Sequence, residues 1–239
     1  MANTYFQFKQ FTIHQDHCAM KVSTDAVVLG ALAKHASPNS ILDIGSGTGV
    51  ITLMLAQRFP EATVQGIELD EAAASQSRRN VQKSPWPGRV EIKCMRFQAF
   101  EKESTENYPL IVSNPPYFPK HHKSADLQRN LALHNDELSF GDLIKGVVKR
   151  LDKNGGFFWV ILPPQQMKEL DKIARFFGLH AQEWYELKDR PSTKTLRHIK
   201  SFSFNAKPSP EMNTICIKNE DFTYTASYQN LLKDFLLTF

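Results

Sequence analysis

Residues Asn114-Pro115-Pro116-Tyr117 carry the types and spacing best suited to chemistry in this chain. They follow Leu110-Ile111-Val112-Ser113, a short apolar run that reads as a buried strand. Asn114 offers a side-chain carbonyl, and Pro115 a backbone carbonyl with no N–H of its own. Two adjacent prolines stiffen the loop, so both oxygens hold their positions. Tyr117 adds a flat face for stacking. Two acceptors converging on one point, beside an aromatic platform, suit an NH2 group on a base or an amide. The same tetrapeptide also makes an ordinary turn, so its meaning depends on what else the chain contains.

About 70 residues upstream, the apolar run Ser40-Ile41-Leu42-Asp43-Ile44 leads into Gly45-Ser46-Gly47-Thr48-Gly49. A helical run from Val50 to Phe59 follows. Strand, glycine turn and helix form the first half of a βαβ unit. Glycine lets a backbone approach a ligand where a Cβ would collide. A dinucleotide fingerprint places its third glycine one residue later, where this chain has Val50. With Asp43 just ahead of the loop, the pattern argues for a cofactor that carries an amino acid moiety. Asp43 then meets the ammonium directly or through water. The next strand, Thr63 to Glu68, ends in a carboxylate about 20 residues past the loop, the spacing that serves ribose hydroxyls. Asp70 competes for that role but also reads as the N-cap of a helix from Glu71 to Asn80.

The elements that position these motifs alternate. Strands are expected at 41–44, 63–68, 89–94, 109–113, 156–162, 180–187, 198–204 and 212–218, with helices between the earlier ones. That order implies an α/β fold with a doubly wound, mainly parallel sheet. Met167, Leu170, Ile173, Ala174 and Phe177 recur at helical period after Pro163-Pro164. The last two strands, split by Lys207-Pro208-Ser209-Pro210, are expected to pair as an antiparallel hairpin at the C-terminal edge. Tyr228 to Phe239 reads as a short amphipathic helix. Residues 1–40 are expected to pack as an extension on a core of residues 41–239, one domain in all. All three motifs then fall at carboxyl ends of strands, where open α/β sheets bind ligands.

Taken together, these residues resemble the class I S-adenosylmethionine-dependent methyltransferases over roughly residues 21–205. Asp43, Gly45, Ser46, Gly47 and Gly49 resemble that family's first motif, Glu68 its ribose-binding acid, and Asn114 to Tyr117 its amino-methylating signature. The resemblance implies a Rossmann-like, seven-stranded sheet and S-adenosyl-L-methionine as cofactor, with Asn114 reaching the cofactor as well as the substrate. The segment from Met20 to Ala31 is similar to the bacterial family that methylates adenine N6 in valine tRNA. In that family it packs over the cofactor, which makes Lys21, Thr24 and Asp25 candidate contacts. Thr24 and Asp25 also read as caps of a helix from Ala26. There is one departure: Arg96 stands where the family usually has an Asp that accepts from the cofactor's adenine amine. Arginine cannot accept a hydrogen bond, so the adenine is left to backbone groups and to apolar contact from Phe97.

The 239 residues are 41% hydrophobic, enough for a full core, and no apolar run approaches membrane-spanning length. The start of the chain lacks a signal-peptide core. Cys18, Cys94 and Cys216 lie far apart with no Cys-x-x-Cys, so no metal site is expected. A reduced, cytoplasmic setting and a monomer are expected. Net charge is +4, and Lys188, Arg190, Lys194, Arg197 and Lys200, against Asp189 alone, account for all of it. Pro191, Ser192 and Thr193 make this stretch a loop. Lys120, His121, His122 and Lys123 form a second basic stretch beyond Tyr117. Such concentrated charge fits a polyanion, although solvated surface is the commoner use of a charge run. Lys120, His121, Lys123, Arg129, Arg190, Lys194, Arg197 and Lys200 are thus candidate RNA contacts. By resemblance, Arg129, His134 and the run Leu138-Ser139-Phe140 shape the substrate mouth, while His134 also reads as a helix-end residue.

The function these readings support is methylation of adenine N6 in tRNA, in the anticodon-loop region by resemblance. Protein glutamine N5-methylation poses the same geometric problem at an amide. It usually comes with a helical recognition domain, for which the residues ahead of Asp43 leave too little chain. Amino-methylation of ribosomal RNA stays open, as does a non-catalytic RNA-binding role on the same fold.

Overall fold

A computed structural model describes residues 3–16, 18, 20–116, 138–206 and 210–239. Tyr117, Lys120, His121, His122, Lys123, Arg129 and His134 lie outside the described residues.

The chain opens with a hairpin, β1 (Tyr5–Gln7) and β2 (Thr12–His14), followed by α1 (Thr24–Leu32). Then come β3 (Ser40–Ile44), α2 (Val50–Arg58), β4 (Thr63–Glu68), α3 (Glu71–Gln82), β5 (Val90–Cys94), α4 (Phe97–Glu103) and β6 (Leu110–Ser113). From residue 138 the described chain continues through α5 (Phe140–Arg150), β7 (Phe157–Leu162), α6 (Pro164–Phe176), β8 (His180–Lys188), β9 (Thr195–Ser203), β10 (Met212–Cys216) and α7 (Ala226–Leu232).

The main sheet has the order β10-β8-β9-β7-β6-β3-β4-β5. It is parallel except for β9, which runs antiparallel to both β7 and β8. This is the mainly parallel, doubly wound sheet that the alternation implies, with eight strands rather than seven. The antiparallel strand does lie toward the C-terminal end, but its partners differ from the hairpin expected of the last two strands. The 195–203 strand inserts between β7 and β8, where both of its edges are satisfied, and β10 joins the outside of β8 in parallel. Pairing between sequence neighbours is the usual default. Here Leu187 and Ile199 reach the core of one face and Phe202 that of the other, so burial on both faces decides the order.

Alternation along each strand sends side chains to two cores. Ile41, Leu110, Val112, Trp159 and Ile161 face α1, α2 and the N-terminal hairpin. Leu42, Ile44, Ile111, Phe158, Val160 and Leu162 face α4, α5 and α6. The hairpin packs on the first core through Phe8, Phe11 and Ile13, with Phe11 edge-on to Trp86. Burying such side chains contributes about 1.5–3 kcal/mol each. Helix α1 starts two residues earlier than the sequence suggests. Ser23, not Thr24, is its N-cap and accepts from the Ala26 N–H, leaving Thr24 and Asp25 in the first turn.

Candidate active site

The glycine loop joins β3 to α2 at the carboxyl edge of the sheet. Gly45, Gly47 and Gly49 all have positive φ (77°, 54° and 82°), the left-handed region that disfavours a side chain. The Gly45 and Ser46 N–H groups both donate to the Ile67 carbonyl at 2.8 and 3.0 Å, which ties the loop to β4. A Cβ at Gly47 would point into open space, so the backbone there is free to meet a ligand. A Cβ at Gly49 would instead strike the Ser77 hydroxyl of α3. Gly47 thus leaves room for a ligand, and Gly49 permits close packing of loop on helix.

Asp43 is fully buried, on the same face of β3 as Ile41. Its Oδ2 accepts from the Thr52 hydroxyl of α2 at 2.6 Å, while Oδ1 has no partner. Burial pushes its carboxyl up to about 7; the Thr52 bond opposes the shift and the Glu68 charge adds to it. A buried carboxylate with an orphaned oxygen is costly unless a cation or donor meets it. Ser46, within the loop, also has a buried hydroxyl oxygen with no partner. At the end of β4, Glu68 Oε2 accepts from the Gly47 N–H at 2.8 Å and Oε1 from the Asp70 N–H at 2.9 Å. A carboxylate has about four lone-pair sites, so two remain for a diol. Asp70 is committed as the N-cap of α3, its Oδ2 accepting from the Ala73 N–H.

Ser113, the last residue of β6, donates from its hydroxyl to the Ile44 carbonyl at 2.9 Å inside the sheet. Ile44 and Ser113 are register partners. The glycine loop and the Asn114-Pro115-Pro116 segment therefore leave adjacent strands at the same level. Asn114 is half-buried, Pro115 buried and Pro116 exposed.

A family model described as the methyltransferase small domain matches residues 20–184. A tRNA1(Val) (adenine(37)-N6)-methyltransferase of Bacteroides thetaiotaomicron is 40% identical over 244 residues, covering 99% of both chains. One of the same name from Trichodesmium erythraeum is 39% identical and covers all of both. A predicted O-methyltransferase from Agrobacterium tumefaciens shares the fold at a TM-score of 0.66, with 17% identity over 88% of this chain and 96% of that one. The chain belongs to the methyltransferase small domain family.

Several other expected site residues of this methyltransferase are engaged by its own chain. Lys21 Nζ donates to the Asn3 carbonyl at 3.1 Å. Asp25 pairs with Arg197 at 2.6 Å, joining a cofactor candidate to an RNA candidate in one ion pair. Phe97 heads α4 with its ring in the core, against Phe100 and close over Gly146, so the apolar contact expected of its ring goes to protein. Arg96 is exposed at the end of β5 and occupies the N-cap position of α4.

On the basic side, Lys194 is exposed on the loop between β8 and β9. That loop is shorter than the charge run suggests, because Lys188 belongs to β8 and Arg197 and Lys200 to β9. Arg190 pairs with Asp189 at 3.3 Å and Glu220 at 3.9 Å. Lys200 is a correction: it cannot serve as an RNA contact, being 6% exposed, paired with Asp171 of α6 at 3.0 Å and seated over the Trp184 ring. Strand alternation sends it inward, beside Val160. Among the described residues, no helix is long and apolar enough to cross a membrane.

Two residues escape the sequence reading. Thr52 holds Asp43, and its only trace in the sequence is a polar residue within the apolar run Val50 to Ala56. Asn80 is wholly buried, accepts from the His14 N–H at 3.0 Å, and donates to the His14 and Thr48 carbonyls at 2.9 Å each. It brackets the N-terminal hairpin to the glycine loop, a link no local pattern announces.

Proposed function

We propose that this protein methylates the exocyclic N6 of an adenine in tRNA, with adenine 37 of tRNA1(Val) as the target, using S-adenosylmethionine. The observation that carries the reading is the placement of Asn114-Pro115-Pro116 level with the glycine loop, locked by the Ser113–Ile44 bond. Two curated relatives, at 40% and 39% identity over essentially whole chains, bear that activity in their names.

The residues present suit the cofactor. Asp43 Oδ1 is a buried acceptor without a donor, suited to an ammonium; Glu68 has lone pairs to spare for a ribose diol; Gly47 leaves space along the loop. Lys21, ahead of α1, and Thr24 and Asp25 in its first turn are further candidates. Bound there, S-adenosylmethionine supplies an electrophilic methyl group on a sulfonium.

The chain's own work is positioning. An adenine amine is a weak nucleophile because its lone pair is delocalised into the ring. The Asn114 Oδ1 and the Pro115 carbonyl each accept one N6 hydrogen, which favours a pyramidal nitrogen with its lone pair free. Polar groups fixed in advance of the reaction lower the barrier without reorganising. Tyr117 is assigned the stacking face for the base. No strong general base is required, because the methylated ammonium is acidic and loses its proton to water. A base in an unpaired loop is already partly out of its stack, which lowers the cost of reaching the pocket.

Incubation with radiolabelled S-adenosylmethionine and total unmodified tRNA, followed by nucleoside analysis, tests the proposal. Label in N6-methyladenosine is the expected result; cofactor binding with no label in tRNA would overturn the choice of substrate.

A further inference from the structure

Beyond β10 the chain makes a tight hairpin turn. Lys218 bridges to Tyr224, the Asn219 N–H donates to the Thr223 carbonyl at 2.8 Å, and the Phe222 N–H donates to the Asn219 carbonyl at 3.1 Å. This is a three-residue loop whose last position adopts the left-handed conformation, a place usually given to glycine. Here that position is Phe222, at φ 68°, the sole non-glycine residue with positive φ among those described. The residue is 63% exposed. A strained backbone carrying an exposed aromatic ring helps folding on neither count, and such outliers cluster where ligands are held.

The ring is not isolated. The Arg190 guanidinium lies over it, 4.5 Å from the centroid. Glu220 fixes the two loops together by accepting from the Ser192 N–H at 2.8 Å and the Ser192 hydroxyl at 2.9 Å. The nearby carboxylates are engaged in this scaffolding: Asp189 and Glu220 on Arg190, and Asp221 on the Thr223 N–H at 3.0 Å. The exposed Lys194 stands on the same loop as Arg190.

The position in the sheet matters. Strands β8 and β10 run in the same direction as β6, so this pair of loops sits at the same carboxyl edge as Asn114. Three to four strand spacings separate them, about 14–19 Å. The β8–β9 hairpin also outruns β7. Leu162, the last residue of β7, pairs with His198, while Lys188 pairs with Thr195, so the hairpin rises about 10 Å beyond its neighbour. An aromatic face backed by a guanidinium and raised beside the site is what unpaired nucleotides stack on.

We propose that Phe222, backed by Arg190, is a stacking platform for an unpaired nucleotide of the RNA substrate other than the target adenine. The proposal rests on the RNA-methylating reading above. Its test is the affinity of the full-length protein for an unmodified valine-tRNA transcript, measured by fluorescence anisotropy with wild type, Phe222→Asn and Phe222→Trp. Asparagine tolerates the left-handed conformation, so Phe222→Asn keeps the turn, with a melting temperature equal to or about 2 °C above wild type. It is expected to weaken RNA binding roughly 5- to 100-fold, and Phe222→Trp to restore it. Unchanged affinity in Phe222→Asn, or no recovery in Phe222→Trp, would overturn the platform. Methyl transfer by wild type is scored alongside. Failure of the functional reading shows as no label even with wild type, whereas failure of the platform shows as label together with that affinity pattern.

Discussion

Around β3 and β4, the candidate cofactor groups are held by near neighbours in the chain: Thr52 on Asp43, Glu68 on Gly47 and Asp70, Asp70 on Ala73. Around β8 to β10, the basic groups are held by distant segments: Arg197 by Asp25, Arg190 by Glu220 and over Phe222, and the inward-facing Lys200 by Asp171. The first region gathers a glycine loop and two strand-end carboxylates with unmet polar atoms, suited to one small molecule of fixed shape. The second is a raised edge that carries the exposed Lys194 and Phe222, suited to a large flexible polyanion. The contrast implies that damage to the first region appears in cofactor affinity and damage to the second in RNA affinity. Asn114, between them, should affect neither strongly while controlling the rate.

That division can be broken most visibly at Asn114. Asn114→Ala is expected to cut methyl transfer by about 10²–10³-fold with cofactor affinity, by calorimetry, nearly unchanged; equal rates would remove its assigned role. Next comes Glu68. Glu68→Ala should weaken cofactor binding about 10- to 100-fold, of the order expected for a lost charge-assisted pair, and leave RNA affinity alone. A matching loss of RNA affinity would mean that the two regions are coupled. Asn80→Ala leaves the buried Thr48 carbonyl and two part-buried His14 backbone groups unmet and should cost about 1–3 kcal/mol of stability. The structure also predicts a raised KM for the cofactor at little-changed kcat, because the glycine loop loses its bracket; a loss of stability without the KM change would confine Asn80 to packing.

A pH experiment sharpens the cofactor side. Burial raises the Asp43 carboxyl to about 7 in the folded protein, against an ordinary value near 3.8. The folded state therefore holds this proton more tightly than the unfolded chain. Between about pH 4 and pH 7 the ligand-free protein should lose stability as pH rises, and above that the loss levels off. Asp43→Asn cannot ionise, so its melting temperature should gain on wild type from pH 5 to pH 8. A constant gap would mean that Asp43 does not titrate there. The smallest effect separates two lysines. Lys194→Ala should reduce the salt slope of RNA binding by about one. Lys200→Met should leave that slope unchanged but lower stability, because Asp171 keeps a buried charge with one partner fewer.

The sequence made the candidate cofactor half legible because its groups lie on one βαβ stretch. The spacing of Asp43, the three glycines and Glu68 is a local property of strand, turn and helix. The strand leading into Asn114 was equally plain from three apolar residues and a serine before the Asn-Pro-Pro segment. The basic wall was harder to read. A charge run does not say which of its residues point outward, so Lys200 counted as surface until strand pairing turned it toward Asp171. The last strands looked like a hairpin because neighbours usually pair, yet burial on both faces put 195–203 between β7 and β8.

By itself, then, the sequence determined the succession of strands and helices, the mainly parallel doubly wound sheet and the three motifs at strand ends. Hydrophobic period and glycine spacing act over a few residues and need no distant partner. Tertiary structure alone decided that Ser113 levels Asn114 with the glycine loop, that Asn80 ties the N-terminal hairpin to that loop, and that Arg190 meets Phe222. Each of these joins segments brought together only when the sheet closes its register and both faces are buried.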